Sequence, residues 1–212
     1  MKKLSISLLI FPFVFICQAQ NKVTLPNGWS LTPAGRSFIL GDLPLNMAVS
    51  PSKKYLAVTN NGESKQYLQL VDVQHEKVLD SVVIPESWVG IKFSADEKCW
   101  VGLKFSGNEK FLYASGGNDN WILQYRVAEN RLTLIDSIKL GKKWPAKISP
   151  AGIEIDDARQ LLYVVTKDNN SLYVIDLATK KISRQVRLPA EAYTCLLSPD
   201  KKILYISCWG CR

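Results

Sequence analysis

The feature that most narrows the fold is an internal repeat. A polar turn leading into an apolar run occurs as Ser50-Pro51-Ser52-Lys53-Lys54-Tyr55-Leu56-Ala57-Val58-Thr59 and again as Ser106-Gly107-Asn108-Glu109-Lys110-Phe111-Leu112-Tyr113-Ala114-Ser115. It returns as Asp157-Ala158-Arg159-Gln160-Leu161-Leu162-Tyr163-Val164-Val165-Thr166 and as Ser198-Pro199-Asp200-Lys201-Lys202-Ile203-Leu204-Tyr205-Ile206-Ser207. Leu56, Leu112, Leu162 and Leu204 are spaced by 56, 50 and 42 residues, and a second landmark, Leu40, Ile84, Leu140 and Leu188, by 44, 56 and 48. Periods of roughly 40–50 residues are those of units that cannot bury their apolar faces alone and must stack.

Both spacings of 56 have one cause. Trp88-Val89-Gly90-Ile91-Lys92-Phe93-Ser94-Ala95-Asp96-Glu97-Lys98 is echoed 12 residues later by Trp100-Val101-Gly102-Leu103-Lys104-Phe105-Ser106-Gly107-Asn108-Glu109-Lys110, with eight of eleven positions identical. A tandem duplication at 88–110 has lengthened one unit, and either copy can supply its innermost strand.

Inside each unit the alternation has period two, with β-branched and aromatic residues between turn residues, and no useful helical period. Four short strands per unit are expected, at 47–50, 55–59, 67–73 and 78–84 in the first and at 153–156, 161–166, 171–177 and 181–188 in the third. The fold class expected is therefore all-β: a β-propeller of four-stranded antiparallel blades. Units at about 36–84, 85–140, 141–188 and 189–212 make about three and a half blades, read as truncated from a larger, seven-bladed ring. Residues 36–40 are expected to act as the last strand of a blade, the usual way such a ring closes.

The N-terminus is set apart from the fold. Met1-Lys2-Lys3, thirteen apolar residues from Leu4 to Ile16, and Cys17-Gln18-Ala19 read as a signal peptide over 1–19, followed by a lead segment at 20–35. Thirteen apolar residues are too few to span a bilayer that needs about 20, so no transmembrane anchor is expected. The chain is expected to be exported, periplasmic or extracellular, with acylation of Cys17 as the alternative. In an oxidising space Cys99, Cys195, Cys208 and Cys211 could pair in three ways, although free buried thiols suffice for a chain this long.

Composition excludes much chemistry. One histidine, His75, cannot build a three-His zinc or two-His iron site. It sits between Asp72 and Glu76 in a hairpin, and no Gly-x-Ser-x-Gly elbow accompanies it. Asp156 and Asp157 are strand neighbours, which point to opposite faces and cannot converge on one bond. No catalytic residues and no metal ligands are assigned, and the cofactor is unknown.

Strand order sorts the turns by face. One face collects Asn60, Asn61, Asn118, Asp119 and Asn169, with Trp88 and Trp144 in the joins between units. These are the candidate ligand-binding residues of a polar funnel with aromatic walls. The opposite face collects Lys53, Lys54, Lys77, Lys98, Lys110, Arg131, Lys180, Lys181, Lys201 and Lys202. With a formal charge of +8 on the whole chain, this face would attract a small molecule or an anionic envelope ligand. Nucleic acid is not expected, because basic and aromatic residues do not interleave into a stacking platform.

Leu56-Ala57-Val58-Thr59-Asn60, Leu112-Tyr113-Ala114-Ser115-Gly116 and Leu162-Tyr163-Val164-Val165-Thr166, each after its polar turn, resemble the YVTN repeats of YncE-like β-propellers. The stretches 25–35 and 41–48 are similar to the start of exported two-part proteins in which such a propeller precedes a phosphoesterase domain of the alkaline phosphatase superfamily. The resemblance implies an exported, noncatalytic module for a ligand or partner. Its alternatives are the propeller half of a phosphoesterase, with that C-terminal domain as partner, or a lactonase-like enzyme.

Overall fold

The computed structural model describes residues 22–31, 35–62, 66–83, 102–142 and 145–209. Two units are distinguished, Met1–Ile39 and Leu40–Arg212. In the first, β1 (Val23–Thr24) pairs antiparallel with β2 (Ser30–Leu31). Residues 36–40 carry no strand, and the final blade that they were expected to complete is not part of this chain. The segment lacks the alternation of the true strands, and Ile39 is 90% exposed.

The second unit is a run of antiparallel sheets. The first holds β3 (Pro44–Val49), β4 (Tyr55–Asn60), β5 (Tyr67–Asp72) and β6 (Lys77–Val83) in chain order. The second holds β7 (Leu103–Phe105), β8 (Phe111–Ser115), β9 (Trp121–Ala128) and β10 (Arg131–Lys139). The third holds β11 (Pro150–Asp156), β12 (Leu161–Thr166), β13 (Ser171–Asp176) and β14 (Lys181–Arg187), and β15 (Glu191–Leu197) pairs with β16 (Leu204–Trp209) in a fourth. The first strands stand beside one another, β3 by β7, β7 by β11 and β11 by β15. That is the inner-strand arrangement of a β-propeller. The second copy of the duplicated segment supplies β7, and the first copy lies outside the described residues.

Period-two alternation explains how the sheets stack. On β8, Leu112 and Ala114 face the first sheet, in a cluster with Ala57, Leu68, Leu70, Leu103 and Tyr125, whereas Tyr113 faces the third sheet with Ile153, Leu162 and Val164. On β12 the neighbour Val165 turns the other way, toward Ala151, Ala192 and Cys195. Central strands thus read apolar on both faces, while the outermost β14, Lys-Ile-Ser-Arg-Gln-Val-Arg, is exposed along most of its length. Truncating a fully buried residue such as Leu112 or Leu162 would cost about 2–5 kcal/mol.

Two local devices recur. Each third-to-fourth strand pair carries one extra residue, Leu79, Ile135 or Ser183, at register shifts between Leu70 and Val71, between Leu134 and Asp136, and between Val174 and Ile175. Such bulges add the twist a blade needs from inner to outer edge. The repeated serine closes the turn between first and second strands: the hydroxyls of Ser50, Ser106 and Ser198 accept from the backbone N–H groups of Tyr55, Phe111 and Ile203 at 3.1, 3.0 and 3.0 Å. In the third sheet Asp156 takes this place, and its carboxylate accepts from the N–H groups of Ala158 and Arg159.

Candidate functional site

The face carrying the β4–β5, β8–β9 and β12–β13 turns is partly self-satisfied, although Asn60 Oδ1, Gln66 Oε1 and Asn170 Oδ1 are buried there without a hydrogen-bond partner. Asn60, fully buried, donates to Gln69 Oε1 at 2.9 Å, and that oxygen also accepts from Gly41 N at 3.0 Å. Asn169 accepts from Thr166 Oγ1 and donates to Tyr173 Oη at 2.7 Å. Asp119 is buried at the end of the 3-10 turn Gly117–Asp119, which also holds the backbone of Asn118. Asn61 differs, because it is 4% exposed and neither amide atom has a hydrogen-bond partner. The side chain of Asn118, and Trp88 and Trp144, lie outside the described residues.

Asn120 does more than its neighbours. At φ 57 it holds the left-handed conformation that Asn tolerates. Its Nδ2 donates to the carbonyls of Lys142 and Ala146, both at 2.7 Å, and its Oδ1 accepts from Ser149 N at 2.9 Å. One side chain thus ties the β8–β9 turn to the join that enters the third sheet. Beside it, a cleft of about 430 Å³ is bounded by Trp121, Lys139, Gly141 and Lys142, with Lys139 5.5 Å from the centre of the Trp121 ring. An aromatic wall therefore exists on this face, from a strand residue rather than a join.

A second cleft, of about 440 Å³, lies along the innermost strands and is lined by Met47, Val49, Pro51, Leu103, Lys104 and Phe105. Its one cation is anchored from below. Lys104 Nζ lies 2.8 and 3.0 Å from the two carboxylate oxygens of Glu154 on β11, and the Glu154 side chain is only 6% exposed. An ammonium has three N–H donors. Glu154 takes two, leaving one on a side chain that is 38% exposed and lines the cleft. Next in the row, on β15, is the buried Cys195 thiol, whose pKa burial and the charge of Glu154 push up to about 12. It is a packed, unreactive thiol.

The opposite face is only partly a free basic surface. Lys180 pairs with Asp136, and Lys201 Nζ reaches the fully buried Asp156 at 3.2 Å. Neighbouring turns grip one another: Glu109 accepts from the N–H and hydroxyl of Ser52, and Asp157 accepts from Gly107 N at 2.8 Å. Asp156, the last residue of β11, reaches Lys201 of the fourth sheet, whereas Asp157 in the following turn reaches Gly107 of the second. His75 is 70% exposed and hydrogen-bonds Asp72 at 2.9 Å. Among the described residues no three His, Cys, Asp or Glu side chains converge as metal ligands, and no helix is long and apolar enough to cross a membrane.

The Lys104–Glu154 cleft was not legible as a site in the repeat. Lys104 has a duplicate at Lys92, and Glu154 is an acid set between Ile153 and Ile155 in the fully buried strand β11; that anomaly was the available signal.

Sequence comparison places these features in a class. Residues 91–198, half of the chain, match the family described as Lactonase, 7-bladed beta-propeller, and the chain belongs to that family. No curated protein matches the sequence. Among solved structures the fold is similar to Kuenenia stuttgartiensis hydrazine synthase (TM-score 0.61, 19% identity, 84% of this chain and 46% of that one). It is also similar to a functionally unknown protein from Desulfotomaculum acetoxidans DSM 771 (0.60, 13%, 77% and 48%). A third likeness is the β-propeller domain of Myceliophteria thermophila Cps50 (Swd1) (0.58, 15%, 79% and 48%). The chain spans about half the length of each, and at these identities the likeness is one of fold.

Proposed function

We propose that this chain is an exported, YncE-like propeller module that binds, without transforming it, a small molecule with an apolar body and a carbonyl or carboxylate acceptor. The carrying observation is the β3–β7 cleft, where apolar walls surround one cation that keeps a single donor for a ligand. Its volume falls within the roughly 300–1,000 Å³ of small-molecule sites. The exposed lysines of the neighbouring turns, Lys53, Lys54 and Lys110, favour the approach of an anion. Asn61 on the other face, with its unpartnered amide, is the second ligand-contact candidate, alongside Asn60, Asn118, Asp119, Asn169, Trp88 and Trp144.

Binding is tested by titrating medium-chain carboxylates and acyl lactones by calorimetry against the native chain, Lys104→Met and Asn61→Leu. Binding lost in Lys104→Met but kept in Asn61→Leu supports the cleft. Equal binding by all three chains would sink it.

The family match favours one second reading, lactone hydrolysis, in which the free donor of Lys104 would polarise the ring carbonyl. Lactone turnover above background that falls with Lys104→Met would replace the noncatalytic reading. The N-terminal resemblance further supports a place beside a phosphoesterase domain in a longer protein, which reading the gene beyond codon 212 checks.

A further inference from the structure

One corner of the second sheet, where β9 begins and β10 ends, carries chemistry that the Lys104 cleft does not use. Trp121 opens β9 and stands directly across from Lys139, the last residue of β10. Gly141 and Lys142 follow, and these four residues bound the cleft of about 430 Å³. The half-buried indole offers a flat apolar wall, and both lysines are exposed. No ion pair of Lys139 or Lys142 occurs among the described residues. The described lining therefore carries two positive charges and no negative one.

Asn120, fully buried, fixes both walls of this corner from behind. It directly precedes Trp121, its carbonyl accepts from Leu140 N at 2.9 Å, and its Nδ2 donates to the carbonyl of Lys142 at 2.7 Å. Between the two lysines the wall is bare backbone, since a Cβ at Gly141 would come within 2.5 Å of Ile148 Cδ1. The indole and both lysine backbones are thus set by the fold, and only the ammonium groups are left to adjust.

We propose that this corner is a binding site in its own right, for a small aromatic ring bearing a phosphate, the chemistry shared by aryl phosphates and mononucleotides. The indole favours an aromatic ring through offset or edge-to-face contact. Two ammonium groups, each a compact point charge with three donors, suit a phosphate dianion better than a carboxylate, whose single charge one cation neutralises. Lys139 lies 5.5 Å from the centre of the indole ring, so an anion bound to it is held beside that ring. The volume is within the roughly 300–1,000 Å³ of small-molecule sites.

Calorimetric titration of the full chain at about 50 mM salt tests this with phenyl phosphate, adenosine monophosphate, adenosine and inorganic phosphate. At least one ring phosphate is expected to bind about tenfold more tightly than adenosine or inorganic phosphate, each of which offers half of the recognised chemistry. Equal binding of both ring phosphates assigns a simple aryl phosphate, and preference for adenosine monophosphate assigns a nucleotide. Replacing the two exposed lysines together, Lys139→Gln with Lys142→Gln, is expected to weaken binding about tenfold with an unchanged far-ultraviolet β-signal. Trp121→Leu is expected to erase the preference for the ring. Inorganic phosphate binding as tightly as the ring phosphates would overturn the proposal, as would unchanged affinity in the double-lysine chain or no binding at about 5 mM ligand. Lys104→Met is expected to bind the ring phosphate like the native chain. Loss of binding there would move the ligand to the β3–β7 cleft and overturn this assignment, which keeps the two sites distinguishable.

Discussion

The carboxylate of Asp156 and the ammonium of Lys201 meet 3.2 Å apart across the third and fourth sheets, the acid fully buried and the lysine partly exposed. Burial alone would raise the Asp156 pKa. The hydrogen bonds from Lys201 and the Arg159 backbone, together with both cations, outweigh it and hold the acid below its ordinary value. An acid so depressed stabilises the fold above its unfolded pKa, and that contribution is lost as pH falls through the folded value. Asp156→Asn is expected to lower stability at pH 7 by about 1–3 kcal/mol. Against the native chain the deficit should shrink below about pH 4. Thermal unfolding of both proteins from pH 7 to 2.5 checks this, and a constant deficit would contradict it.

Asn120 is asked for two donors, one acceptor and a left-handed backbone at once. Asn120→Ala removes three hydrogen bonds of about 1 kcal/mol each and adds about 1 kcal/mol of backbone strain. Asn120→Gly removes only the bonds. Asn120→Asp keeps the conformation but faces the carbonyls of Lys142 and Ala146 with an acceptor. Urea unfolding should rank the glycine variant above the alanine variant, with the aspartate variant also well below the native chain.

Lys104 and Glu154 should behave as one unit. Lys104→Met alone leaves a nearly buried carboxylate without its cation and is expected to cost about 3 kcal/mol or more. Adding Glu154→Leu should return much of that loss, giving a strongly non-additive double-mutant cycle. Additive losses, measured by denaturant unfolding, would show that the pair is not coupled.

Cys195 offers a reading of the fold itself. With its thiol pushed up to about 12, almost no thiolate exists at pH 8, and the group is buried under β16. Iodoacetamide labelling mapped by mass spectrometry should leave Cys195 unmodified for as long as the fourth sheet stays docked on the third. Labelling should become complete in denaturant.

The architecture was legible because its cause is periodic. Leu56, Leu112 and Leu162 recur where a strand must be buried on both faces, and the serines at 50, 106 and 198 mark the turns before the strands. Trp121 and Lys104 escaped as site residues because each looks like an ordinary strand member. Only the approach of sheets distant in sequence brings Lys104 to Glu154, 50 residues away.

The duplication at 88–110 changes how the chain can fold. Ile91-Lys92-Phe93 offers β8 nearly the same pairing partners as Leu103-Lys104-Phe105, so the chain carries a decoy for its own innermost strand. The second copy wins locally because it reaches β8 through a turn of about five residues rather than seventeen. That difference in loop-closure entropy is worth about 1 kcal/mol. So small a gap leaves two nearly degenerate threadings early in folding. It falls to the later contacts of β7 with β11 to make one of them permanent.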